Sequence, residues 1–369
     1  MRALYHFAAT VALLLALDSP QTQSGEIEAR RTYVVPDEQI ASLSDAVQKR
    51  AARPSITLEG SQVTPEAIEK IAGRDWGTVT IRNARNGVAI IGPLRHATSI
   101  RTLRLYGGSL SGQLRRLEHV RGLVALELGA PLTVRDLEAV GRLTQLERLK
   151  LPQELALTVT GARQIARLTK LKSLDLYNVD VDDASFVELA TLVNLEELNL
   201  FHTRVTDVGL QVLAHMPRLK SLHLHRRGAW DIPQQISDAC VPVICQLTRL
   251  ETLSLSGDVT DEGLVKIATL PRLKDLWILN TKISGKGLAA LESSTVESLT
   301  IGEGVLGGIP IELEKDDDIL RSRPGLASIK KCKNLRSVTV MIGILQGDFF
   351  SISQQLQRLA PNIGWDFAS

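Results

Sequence analysis

The chain has 369 residues, 44% apolar and 23% charged, which excludes a disordered polymer and allows either two ordinary domains or one long array. Its 43 basic residues against 41 acidic ones leave a net charge of +2, which offers no electrostatic case for nucleic acid or an anionic membrane as partner. Aromatic residues are only 4%, so aliphatic side chains must carry the core.

The first element, residues 1–24, reads as an export leader. Arg2 supplies a positive start, Phe7 to Leu17 is an apolar run, and Asp18, Ser19 and Pro20 end it. The run is shorter than the roughly 20 apolar residues that a spanning helix needs, and no second run follows. No clear cleavage site marks its end, so cleavage and retention as an anchor both stay open. The mature chain is expected to be exported (periplasmic, envelope-bound or extracellular) without a membrane span. Residues 25–53, with an amphipathic stretch from Pro36 to Arg50, are assigned to an N-terminal cap.

From residue 54 to 345 one pattern, L-x-x-L-x-L, recurs about twelve times. Copies stand at Ile100/Leu103/Leu105, Leu123/Leu126/Leu128, Leu146/Leu149/Leu151, Leu171/Leu174/Leu176 and Leu195/Leu198/Leu200. Others follow at Leu219/Leu222/Leu224, Leu250/Leu253/Leu255 and Leu273/Leu276/Ile278, with weaker ones near Ile56, Val79, Leu299 and Val338. Successive copies are usually 23 to 25 residues apart; insertions near 226–236 and 302–323 lengthen two of the steps. A second motif follows the strand: Val205-Thr206-Asp207-Val208-Gly209-Leu210, Val259-Thr260-Asp261-Glu262-Gly263-Leu264 and Ile283-Ser284-Gly285-Lys286-Gly287-Leu288. Thr206, Thr260 and Ser284 are placed to cap a short helix. Apolar residues then recur every third position, as in Leu210/Leu213/Met216/Leu219. Strand, turn, capped helix and return predict an α/β solenoid, with a parallel sheet on the concave face and short helices on the convex one. One unit cannot bury its apolar face alone, so the copies must stack. Residues 346–369, including Phe349 to Trp365, are assigned to a C-terminal cap.

The unit from Leu195 to Leu219 resembles the ribonuclease-inhibitor-like leucine-rich repeats. It is most similar to the cysteine-containing subtype that follows F-boxes in ubiquitin-ligase receptors and to exported bacterial relatives. That subtype has Cys three residues before the strand-opening Leu; here Met216 and Leu270 stand there, and Cys only at Cys332. The segment from Gly25 to Arg53 is too short for an F-box and a cap together, so a ubiquitin-ligase role is not carried over. The resemblance implies a leucine-rich-repeat protein that binds a protein partner.

No G-x-S-x-G, H-E-x-x-H, P-loop or dinucleotide fingerprint is present, so no enzymatic role, cofactor or metal is expected. Cys332 falls in an inward slot and reads as a buried thiol. Cys240 and Cys245 flank an inward series, where Pro242 leaves both the bridged and the free state open. The acidic run Glu314 to Asp318 lacks the spacing of a calcium loop. His202, His223 and His225 are of ligand type, but no carboxylate completes a set.

The concave face remains. The position after the last Leu of each copy gives Tyr106, Gly129, Pro152, Tyr177, Phe201, His225, Ser256 and Leu279. The position between the last two gives Arg104, Glu127, Lys150, Asp175, Asn199, His223, Ser254 and Trp277. Aromatic residues on a face that the core does not use are what a binding hot spot needs. The expected partner-binding residues are therefore Tyr106, Tyr177, Phe201, His223, His225 and Trp277, with Trp230 from the adjoining insertion. A non-enzymatic scaffold for a protein partner is the first reading. A self-associating envelope component and a glycan-binding or enzymatic pocket built by the insertions are its rivals.

Overall fold

A computed structural model describes residues 32–35, 55–60, 65–72, 76–83, 87–94, most of 96–225, 236–302 without 285, 324–341, 357 and 360–368. The leader, the stretch from Pro36 to Arg50 and most of both insertions, with Trp230, lie outside these residues.

Among the described residues fourteen strands occur in chain order: β1 (Thr32–Val35), β2 (Ser55–Glu59), β3 (Thr78–Arg82), β4 (Thr102–Tyr106), β5 (Ala125–Gly129), β6 (Arg148–Lys150) and β7 (Ser173–Asp175). Then come β8 (Glu197–Asn199), β9 (Ser221–Leu224), β10 (Thr252–Gly257), β11 (Asp275–Thr281), β12 (Ser298–Ile301), β13 (Ser337–Met341) and β14 (Gly364–Ala368). They form one sheet in which spatial order equals sequence order, and every neighbouring pair is parallel. From β2 to β13 each crossover between strands carries a short α-helix or 3₁₀ turn, such as Val134–Gly141, Val159–Ile165 or Gly209–His215. Among the described residues no helix is long and apolar enough to cross a membrane.

The leucine pattern dictates the register. The middle residue of each copy pairs with the middle residue of the next: Leu126 with Leu149, Leu149 with Leu174, Leu174 with Leu198, Leu198 with Leu222. The two lengthened steps leave this alignment intact, because Leu222 still pairs with Leu253 and Leu299 with Val338. These leucines and the third-position residues of the helical side, Leu210, Leu213, Met216 and Leu219, are all buried in a single core. Two strands lie outside the twelve copies: β1 pairs with β2, and β14 with β13. A strand within the N-terminal segment is not what its sequence pattern suggested.

The V-T-D-x-G-L motif does more than cap. The capping is present: Thr206 Oγ1 accepts from the Val208 amide at 3.1 Å, Thr260 Oγ1 from Glu262 at 3.2 Å, and Ser284 Oγ from Lys286 at 3.1 Å. Each hydroxyl also donates to an aspartate of the preceding repeat, whose other oxygen accepts the backbone amide. Thr206 is held so by Asp183 (2.7 and 2.6 Å), Ser237 by Asp207, Thr260 by Asp238 and Ser284 by Asp261. The motif glycine makes room for this clamp, since a methyl group at Gly209, Gly263 or Gly287 would collide with Oδ1 of Asp183, Asp238 or Asp261.

All three cysteines are free thiols. Cys240 and Cys332 are buried, and burial pushes the Cys332 thiol up to about 11, so both are packing residues rather than nucleophiles.

Candidate binding face

Alternation along each strand sends one set of side chains into the core and the other to the outward face. On β4 to β7 two pairs of opposite outward charges meet across strands, while Arg148 has no ion pair among the described residues. Arg104 Nε meets Glu127 Oε1 at 2.8 Å, and Lys150 Nζ meets Asp175 Oδ2 at 3.0 Å. Tyr106 belongs to this network. Its hydroxyl donates to Glu127 Oε2 at 2.7 Å, Arg82 lies 5.5 Å from its ring centre, and its ring covers Gly129. Burial first, and the Glu127 carboxylate second, push the Tyr106 hydroxyl up to about 12. Tyr106 is thus three strands from Tyr177 and stands apart from the other aromatic candidates.

Tyr177, Phe201 and His225, on successive repeats, come together as one stack. The Tyr177 and Phe201 rings are 5.1 Å apart and nearly parallel, and Phe201 and His225 are 4.7 Å apart and tilted. Two polar residues place them: Asp175 Oδ1 accepts from the Tyr177 amide and Asn199 Oδ1 from the Phe201 amide, both at 3.0 Å. Asn199 Nδ2 in turn donates to Asp175 Oδ1 at 3.0 Å, so the two supports are themselves joined. Sequence reading put Asp175 and Asn199 on the face but missed this role; their offset of two residues before each aromatic was the available signal.

His202 completes the group. It sits at φ 60°, the left-handed conformation that Asn178 (φ 55°) takes one repeat earlier, and its ring meets Phe201 edge-on at 4.5 Å. Histidine is uncommon in that conformation, and its amide donates to the His225 carbonyl at 3.2 Å. Pattern reading set His202 aside because it lies past the strand; the turn brings it back against the stack.

The row is not uniformly open. His225 is 8% exposed and forms the buried end of the stack, whereas Tyr177, Phe201, His202 and His223 are half-buried. His223 Nε2 is 3.1 Å from Ser221 Oγ, and burial holds its pKa below the usual imidazole value despite Asp175 and Glu197 nearby. Trp277 is in register with Ser254 and, beyond it, His223, about 10 Å away at two strand spacings. It is 40% exposed, while Ser254 between the two large side chains is 3% exposed. Among the described residues no group of three His, Cys, Asp or Glu side chains is placed to hold a metal ion.

The helical side offers a groove of about 720 Å³ lined by Asp261, Val265, Ala268, Pro271, Lys286 and Ala290 among others. Asp261 and Gly287 in its wall already serve the clamp between repeats, so the groove follows from how two helical segments stack.

The family described as Leucine Rich repeat matches residues 191–214. No curated protein matches the chain in sequence. Among solved structures, an internalin from Listeria monocytogenes is similar at 19% identity and a TM-score of 0.49, over 90% of this chain and 94% of that one. One leucine-rich repeat is thus matched, at 191–214, and copies of the same sequence unit stand in register from β2 to β13 in an α/β repeat fold.

Proposed function

We propose that this protein is a non-enzymatic scaffold that recognises a protein partner through the outward face of its sheet, around β7 to β11. The observation that carries this reading is the Tyr177–Phe201–His202–His225 group beside the exposed Trp277, in a chain with 4% aromatic residues. Aliphatic side chains, with Trp76 and Phe186, fill the core, so these rings are not needed there. Aromatic side chains held rigidly by their neighbours lose little entropy on binding and supply large contact areas. The proposal includes export, with residues 1–24 as the leader.

Trp277→Ala combined with Tyr177→Ala is the cleanest test, because Phe201 lies inside the stack and its loss would disturb the fold as well. Affinity capture of a partner from the native envelope should weaken at least about tenfold for the double variant. Its melting temperature should fall by only a few degrees. Undiminished capture by a folded double variant would remove the face from consideration.

A further inference from the structure

We propose that the outward face from β8 to β11 takes an extended basic segment of the partner, with two Lys or Arg side chains four residues apart meeting Glu197 and Asp275. This rests on the binding reading above and names the chemistry of its partner.

The first support is the charge left over on the face. On β4 to β7 Arg104 and Lys150 are consumed by Glu127 and Asp175, which leaves Arg148 of β6, two strands from Glu197 in the same row, as the outward cation without an ion pair among the described residues. From β8 to β11 the outward positions contain no Lys or Arg, and their two carboxylates, Glu197 and Asp275, have no ion-pair partner among the described residues. One residue earlier, at the strand-entry edge, Glu196, Lys220, Glu251, Lys274 and Glu297 alternate in sign, with Lys220 Nζ 2.6 Å from Glu196. That edge largely neutralises itself. The carboxylates of the face proper are therefore the charges a partner would meet.

The second support is geometric. Glu197, Ser221, Thr252 and Asp275 are in register across β8, β9, β10 and β11. Two carboxylates thus stand at the ends of a row whose middle is two small hydroxyl residues. Three strand spacings separate them, about 14 Å. An extended segment crossing the strands advances about 13 Å in four residues and returns its side chains to the same side. Cations at i and i+4 then reach both carboxylates, while the short Ser221 and Thr252 leave space for the backbone between them.

The third support is Trp277, two residues after Asp275 on the same outward side and 40% exposed. An indole face next to a carboxylate attracts a guanidinium or ammonium by both charge and ring quadrupole. Phe201 does not offer this, because Tyr177 and His225 occupy its two sides.

The experiment is isothermal titration calorimetry of the full chain with two synthetic peptides of equal charge. One is Ser-Arg-Ser-Ser-Ser-Arg-Ser; the other carries its arginines adjacent, Ser-Arg-Arg-Ser-Ser-Ser-Ser. The spaced peptide should bind more tightly, and its affinity should fall on the order of tenfold as salt is raised to about 0.5 M. Glu197→Gln and Asp275→Asn should each weaken it about threefold, and Trp277→Ala about fivefold. Glu262→Gln, on the exposed helical side, should change nothing. Equal binding of both peptides, or equal loss with Glu262→Gln, overturns the proposal. So does tighter binding by an Arg226→Ser, Arg227→Ser variant, which would make the chain's own insertion the occupant. A concentration-dependent dimer in sedimentation that Glu197→Gln with Asp275→Asn abolishes would assign the face to a second copy instead. If partner capture depends on Trp277 and Tyr177 but not on Glu197 and Asp275, the binding face stands and the basic segment falls.

Discussion

His223 shows how one side chain carries both a packing and an electrostatic consequence. It lies at an outward position yet is half-buried, and desolvation disfavours its charged form more than Asp175 and Glu197 favour it. A folded-state pKa below the unfolded value means that the unfolded chain binds the proton more readily. Stability should therefore be level above the unfolded histidine pKa of about 6.5 and decline as pH falls through it. The decline from this group stops once pH is below the folded-state pKa. Urea denaturation of the protein and of His223→Gln between about pH 7.5 and pH 5 checks this: the variant should show the shallower dependence. Equal slopes would mean that the imidazole is not desolvated in the folded chain.

At the scale of the element, the repeat is joined to its neighbour by more than apolar contact. Asp183 receives both the amide and the hydroxyl of Thr206, and Gly209 leaves the space in which its carboxylate sits. Gly209 begins a 3₁₀ turn and is not among the residues with positive φ, so alanine there is excluded by crowding and not by backbone conformation. Gly209→Ala should destabilise the protein by about 2–4 kcal/mol, through overpacking and loss of hydrogen bonds to a charged acceptor. In Asp183→Ala the obstruction is absent, so the combined variant should be markedly less destabilised than the sum of the two single changes. Strict additivity in chemical denaturation would show that the glycine serves some other purpose. The same geometry recurs at Asp238 with Gly263 and at Asp261 with Gly287, which is why the motif spacing persists while the intervening residue changes from Val208 to Glu262 to Lys286.

At the scale of the whole array, among the described residues each strand pairs only with the strands before and after it. Stability is then a sum of repeats and nearest-neighbour interfaces, and damage should spread only a short way. Leu222→Ala on β9, where the side chain is fully buried, should cost about 2–5 kcal/mol. Its amide hydrogen exchange should rise first in β8 to β10 and later in β4 and β5. A uniform rise along the array would instead mean one indivisible cooperative unit. The same linear order gives the binding face its form, because equivalent outward positions fall into rows about 4.8 Å apart and a partner meets one residue per repeat.

The leucine period by itself determined the solenoid, the parallel order and the register from β2 to β13, because a side chain that must be buried once per turn of the chain permits one alignment. It also placed Tyr177, Phe201 and His225 on one face. Only the tertiary structure decided what those residues do there. Tyr106 is drawn away by Glu127, His202 is brought in by a left-handed turn, and His225 closes the buried end of the stack. Aspartates one repeat away hold the threonines that the pattern read as simple caps. Each of these depends on contacts between side chains some 24 residues apart, and on turn conformations after the strand. Period alone constrains the inward half of a repeat; the outward half is settled by which neighbours the stacking supplies.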